Sequence, residues 1–169
     1  WTVTDATGQR ATLDPGALVL KGTPALAAQP TLQPPFTFAA AQPISVNGTP
    51  YRGKLLVSGD GKLVQVIDTV GLEQYVKGVV PAEMPSNWAP EALKAQAVAT
   101  RSYALANLAK GRAFDVYGDT RSQAYGGVKA ESPKSSAAVD ATKGQVVLYN
   151  GKVADTLFFS TSGGRTASA

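Results

Sequence analysis

At 169 residues, with 44% hydrophobic and 17% charged residues, the chain is long enough to bury a core and too rich in apolar side chains to be a disordered tail. Its net charge of +4 comes from lysines and arginines scattered along the sequence, which leaves no basic stripe for nucleic acid. Cysteine and histidine are both absent, which excludes a thiolate nucleophile, a Ser-His-Asp triad and a His- or Cys-based metal site.

Chemistry in this chain therefore falls to carboxylates, lysines, tyrosines and hydroxyls. No stretch reads as a signal peptide or as a transmembrane span of roughly 20 apolar residues. A sequence that starts at Trp1 and stops after "SGGRTASA" reads as a fragment or a trimmed form.

Residues Trp1 to Leu20 alternate weakly and predict one or two edge strands, with a turn at Asp14-Pro15-Gly16. The Pro- and Ala-rich run "KGTPALAAQPTLQPPFTFAAAQP" predicts a loop or extended connection. A domain boundary is expected there, dividing an N-terminal flanking segment over 1–43 from the main domain over 44–169. Beyond it, Asn47-Gly48, Asp60-Gly61 and Asn150-Gly151 each lie between β-rich runs and predict hairpins, because such pairs accept positive φ. Asn47-Gly48-Thr49 also spells a glycosylation sequon, and the hairpin turn is the simpler reading.

Pro90 to Lys110 predicts a long helix, with proline at its first position and Gly111 just past its end. A second, shorter helix is expected from Ser132 to Thr142, with Pro133 at its start. The fold class is thus α+β: a hairpin-rich mixed domain with one long helix over about 90–110 and a short second helix.

On the long helix, Leu93, Ala97, Val98, Ala104, Leu105 and Leu108 fall in one apolar arc, and Lys94 and Arg101 lie inside it. Seven residues apart, these two cations point almost the same way. Taking a cation out of water costs several kcal/mol unless acceptors compensate, so an anion or a set of dipoles is expected opposite them. The alternative is that their long stems carry the charges out to solvent. Just upstream, "Pro81-Ala82-Glu83-Met84-Pro85" confines Glu83 between two prolines, which push Val80 and Met84 toward extended backbone. That predicts Glu83 on a short rigid bend, facing the cations at the mouth of a cleft.

With these residues in view, the sequence resembles the SpoIID/LytB domain family of bacterial cell-wall proteins. The likeness rests on "LEQYVKGVVPAEMPSNWAPEALKAQAVATRSYAL", then "DTRSQAYGG" with Glu131 after it, then "AVDATKGQVVLYNGKVADTLFFSTSGGRT", and it covers roughly Tyr51 to Thr166. The family includes sporulation lytic transglycosylases, which cleave peptidoglycan glycan strands stripped of their stem peptides, and a modifier of a cell-wall amidase. The resemblance implies that Glu83 is the catalytic glutamate and that Lys94 and Arg101 contact substrate. It places Gln123, Tyr125, Ser162, Gly163 and Gly164 in the other motifs of the site. Some relatives hold zinc on His and Cys; this chain has neither, so no metal or other cofactor is expected. The family domain usually continues past the "SGGRT" motif, so the main domain is expected to be cut short at its C-terminal end.

The resemblance further implies an extracytoplasmic location in the bacterial envelope, glycan strands as the partner, and a cell-wall amidase or envelope complex as a protein partner. Trp88 and Tyr125 are candidate sugar-stacking faces, or ordinary packing. Ser162-Gly163-Gly164 is a candidate for close backbone approach, or a flexible turn. Three functions remain open at this point: a glycan lyase, a non-catalytic wall-binding module that modulates an amidase, and a structural partner in an envelope complex.

Overall fold

The computed structural model describes residues 1–108, 112–159, 161, 163 and 164. It is an α+β structure, and by internal contact it divides into two compact units: Trp1–Tyr75 with Gly126–Ala130, and Val76–Tyr125 with Glu131–Ala169. The boundary expected near residue 43 falls inside the first unit.

The first unit is built on a five-stranded antiparallel sheet. Strands β1 (Thr2–Thr4), β2 (Arg10–Thr12), β3 (Phe36–Ala39), β6 (Lys54–Gly59) and β7 (Val64–Thr69) take the order β2-β1-β3-β6-β7. One face carries Val3, Phe36, Phe38, Leu55 and Val57, all buried, and Leu13, Leu26, Leu32 and Ile44 complete the core beneath them. The first turn departs from expectation. β1 and β2 reverse at Asp5–Gln9, where Asp5 Oδ1 accepts the N–H groups of Thr7 and Gln9, and not at Asp14-Pro15-Gly16. A side chain that satisfies two turn amides outweighs the generic preference of Pro-Gly for a bend. β3 falls in the run expected to be a loop or extended connection. Its "FTFA" alternation buries Phe36 and Phe38 between β1 and β6, and that burial overrides the proline-rich context before it.

A separate hairpin joins β4 (Ile44–Val46) to β5 (Thr49–Tyr51), with Asn47 and Gly48 at φ 49° and 81°. Those signs at both central residues are the ones a tight two-residue turn requires. Gly127 opens the short helix α3 (Gly127–Ala130), where an added Cβ would sit 2.6 Å from the Pro50 carbonyl oxygen. Asp60-Gly61 does lie between paired strands, but within a four-residue connection, where Asp60 Oδ1 accepts the N–H groups of Lys62 and Leu63 at 2.8 Å.

In the second unit, helix α2 (Pro90–Ala106) packs against α4 (Pro133–Ala141). α4 lies where Ser132 and Pro133 predicted it, and Ser132 and Ser135 close a reciprocal capping box at its start. α2 ends earlier than expected, at Ala106. Asn107 caps it, its Nδ2 donating to Tyr103 O at 3.0 Å and to Asp155 Oδ1 at 2.8 Å. Leu108 is exposed, and Lys110 and Gly111 lie outside the described residues. The hairpin β8 (Leu148–Tyr149) and β9 (Lys152–Val153) turns through Asn150 and Gly151 at φ 49° and 74°.

Helix α1 (Leu72–Glu83) runs on through the start of the stretch where the two prolines predicted a bend, although Pro81 lies inside it and removes the N–H that would bond to the Lys77 carbonyl. An interior proline costs about 3 kcal/mol. Val76, Val79 and Val80 form one fully buried stripe on this helix, and burying each contributes about 1.5–3 kcal/mol, so the helix survives its proline. Among the described residues, no helix is long and apolar enough to cross a membrane.

Candidate functional site

Glu83 occupies the last turn of α1 rather than a bend, and the next residue, Met84, still donates its N–H to Val80 O at 2.9 Å. The Glu83 side chain is exposed. Its Oε1 accepts the backbone N–H of Ala124 at 2.6 Å, a short bond across 41 residues of sequence. The fold thereby brings two of the separated motifs together: the carboxylate on α1 and the segment that holds Gln123 and Tyr125. Gln123 is buried at 1% exposure, while Tyr125 is half-buried and donates its N–H to Gly118 O at 3.1 Å. Gln123 therefore packs the base of this segment, and Tyr125 is the one of the two with surface to offer.

The two cations of α2 share a direction and differ in surroundings. Arg101 is fully buried. Its Nη1 donates to Gln145 O at 2.9 Å and to Ala97 O at 3.4 Å, and its Nη2 to Val139 O at 3.5 Å. The dipoles expected opposite it are main-chain carbonyls of α2, of α4 and of the turn after α4, so the guanidinium braces three segments of its own unit. Lys94 is half-exposed, and its ammonium lies 2.8 Å from Glu91 Oε1 on the preceding turn. Glu91 is 81% exposed, and such i,i+3 surface pairs are weak and exchangeable. Gly163 and Gly164 are exposed, Gly164 at φ 87°, and Ser162 lies outside the described residues. Trp88, which follows Glu83 in the turn before α2, is 54% exposed.

Two features of the site were not picked out by the sequence reading. Ala124 contributes only its main chain, and nothing in an alanine marks it as a donor. The second is a cluster on the loop leading to Ala124. Arg121 grips Asp119 with two nitrogens, Nη2 to Oδ2 at 2.6 Å and Nε to Oδ1 at 2.9 Å, and its guanidinium lies 3.8 Å from the centroid of the Tyr117 ring. Phe114 meets Tyr117 edge-on at 4.9 Å. The Arg121 side-chain hydrogen bonds hold the Asp119 carboxyl down to about 2, and Asp119 in turn raises Arg121. The spacing Asp-x-Arg after "VYG" is the trace this cluster leaves in the sequence. Among the described residues, no group of three potential metal ligands exists.

Comparison with known proteins places this chain beside bacterial sporulation and cell-wall proteins. The model of the SpoIID family, described as Stage II sporulation protein, matches residues 60–149, just over half of the chain. An uncharacterised protein of Brachyspira hyodysenteriae is 38% identical over 135 residues, covering 78% of this chain and 37% of that protein. The amidase enhancer of Bacillus subtilis is 42% identical over 91 residues, or 54% of this chain and 12% of its own length. The Stage II sporulation protein D of the same organism is 34% identical over 122 residues, or 62% of this chain and 36% of its own. The chain thus spans between about an eighth and just over a third of the length of these relatives.

Proposed function

The chain belongs to the SpoIID family, and from that premise we propose that it is a lytic transglycosylase of the bacterial envelope, acting on peptidoglycan glycan without stem peptides. The observation that carries this reading is the exposed Glu83 carboxylate, fixed through one oxygen by the Ala124 N–H on the "SQAYGG" segment. Most glycosidases need two carboxylates to activate an external water or form a covalent intermediate. A transglycosylase needs one, because the muramic sugar supplies its own nucleophile. The C6 hydroxyl oxygen bonds to C1 as the bond from C1 to the leaving oxygen breaks. Glu83 gives its proton to the leaving oxygen and receives the C6 hydroxyl proton, so it ends the cycle as it began. No water enters, and the product carries a 1,6-anhydro end.

Around Glu83, Trp88 and Tyr125 present partly exposed rings suited to a sugar face. Lys94 can exchange its surface partner Glu91 for a hydroxyl, acetamido or lactyl carboxylate group of the glycan. Gly163 and Gly164, with Ser162, are assigned to backbone contact with the strand. Arg101 is assigned to holding α2 in place, given its burial. Replacing Glu83 with Gln removes the proton and keeps the shape. Release of anhydro-ended fragments from peptide-free glycan, followed by mass spectrometry, should cease while glycan retention persists; undiminished release defeats the assignment.

A second reading draws on the likeness to the amidase enhancer, 42% identical over 91 residues. In that reading the chain binds wall glycan and stimulates an amidase without cutting. It predicts glycan retention with no new anhydro ends, and faster amidase turnover when the protein is added.

A further inference from the structure

Residues 117–125 form a turn closed by its own hydrogen bonds. Tyr117 N–H donates to Ser122 Oγ at 3.2 Å and Tyr125 N–H to Gly118 O at 3.1 Å, which zips the two ends. Between them, Ser122 N–H donates to Asp119 O at 2.9 Å and Arg121 N–H to Asp119 Oδ1 at 3.0 Å. The Arg121 guanidinium then folds back on the same carboxylate in a two-nitrogen grip while lying over the Tyr117 ring. Both charged side chains are more than half exposed, and exposed pairs add little to global stability. Their value here is geometric: a planar fork on a carboxylate, stacked on a ring, admits far fewer arrangements than a lysine ammonium would. Three residues after Arg121 comes Ala124, whose N–H holds Glu83, and three residues of chain span at most about 10 Å.

We propose that Asp119, Arg121 and Tyr117 are positioning residues for Glu83. They lock the turn in the conformation that aims the Ala124 N–H at Oε1, which fixes the carboxylate plane and presents Oε2 to the glycosidic oxygen. This inference rests on the proposed role of Glu83 in glycan cleavage. A carboxylate free to swing would populate the productive orientation only part of the time, and misplacement on the ångström scale costs on the order of 100-fold in rate. The proposed substrate contacts outside this turn, those of Trp88 and Lys94, would be untouched.

The test uses the chain with Arg121→Ala, Arg121→Lys and Asp119→Asn. On peptide-free glycan, Arg121→Ala should lower kcat on the order of 10- to 100-fold with KM within about twofold. Arg121→Lys should recover only part of the loss, and Asp119→Asn should behave like Arg121→Ala. Amide hydrogen exchange at Ala124 should accelerate in Arg121→Ala while the thermal midpoint stays within about 2 °C, since the change is local. A kcat at the unsubstituted level, or a rise in KM with kcat intact, overturns the proposal. Should the unsubstituted chain release no anhydro product, the lyase reading fails by itself. The positioning claim is then decided by the Ala124 amide, and unaltered exchange there in both Arg121→Ala and Asp119→Asn overturns it.

Discussion

Arg101→Lys separates a brace from a substrate contact, because it keeps the positive charge and discards the fork. In the folded chain, the two terminal nitrogens of Arg101 reach different segments, Nη1 to Gln145 O at 2.9 Å and Nη2 to Val139 O at 3.5 Å. The Ala97 carbonyl is one helical turn back on α2 and can keep its helical donor, and Val139 O also receives the Thr142 N–H and hydroxyl. Among these contacts the loss that matters is therefore about one charge-assisted bond, since a lysine ammonium at 0% exposure can serve one side and not both. Hydrogen bonds to charged groups contribute about 1.5–3 kcal/mol. At about 2–4 °C per kcal/mol for a chain of this size, the thermal midpoint should fall by about 3–12 °C. Differential scanning calorimetry reads this directly, with glycan release measured at a temperature where both proteins are folded. An unchanged midpoint together with lost glycan turnover would refute the brace and return Arg101 to the substrate.

Two further outcomes follow from named contacts. Because the Arg121 hydrogen bonds hold the folded Asp119 at about 2, below its ordinary 3.8, its pairing with Arg121 is complete above about pH 4 and is lost as pH falls through about 2. The Arg121 Nε–H resonance should shift over that acidic window, and a shift centred near pH 4 instead would show that the grip is absent in solution. Gly48→Ala places a Cβ at φ 81° and should destabilise the first unit by about 1–2 kcal/mol in urea unfolding, whereas Gly16→Ala, with open space around it, should change little.

The sequence-to-structure correspondence was clearest where local chemistry alone decides. Asn-Gly pairs needing positive φ gave two tight hairpins, and Ser132-Pro133 gave the start of α4. Reading failed where tertiary burial overruled a local rule. Pro81 argued for an extended bend, yet three fully buried valines made that stretch a helix and moved Glu83 to its last turn. Periodicity correctly set Lys94 and Arg101 in one direction, but direction does not say what stands opposite. For one it is exposed Glu91, for the other a set of carbonyls supplied by residues 38 and 44 positions away. The meeting of Glu83 with Ala124 was not legible: resemblance put the flanking Gln123 and Tyr125 in the same site as Glu83, and nothing in either segment names the other.

The donor that grips Glu83 belongs to the main chain, so it is reproduced by nineteen of the twenty residue types and withheld only by proline. Position 124 can therefore drift through evolution without the contact being lost, provided the loop keeps its shape. What selection must guard is the course of the backbone, and the burden of preserving the site shifts from that position to the neighbours that bend the chain.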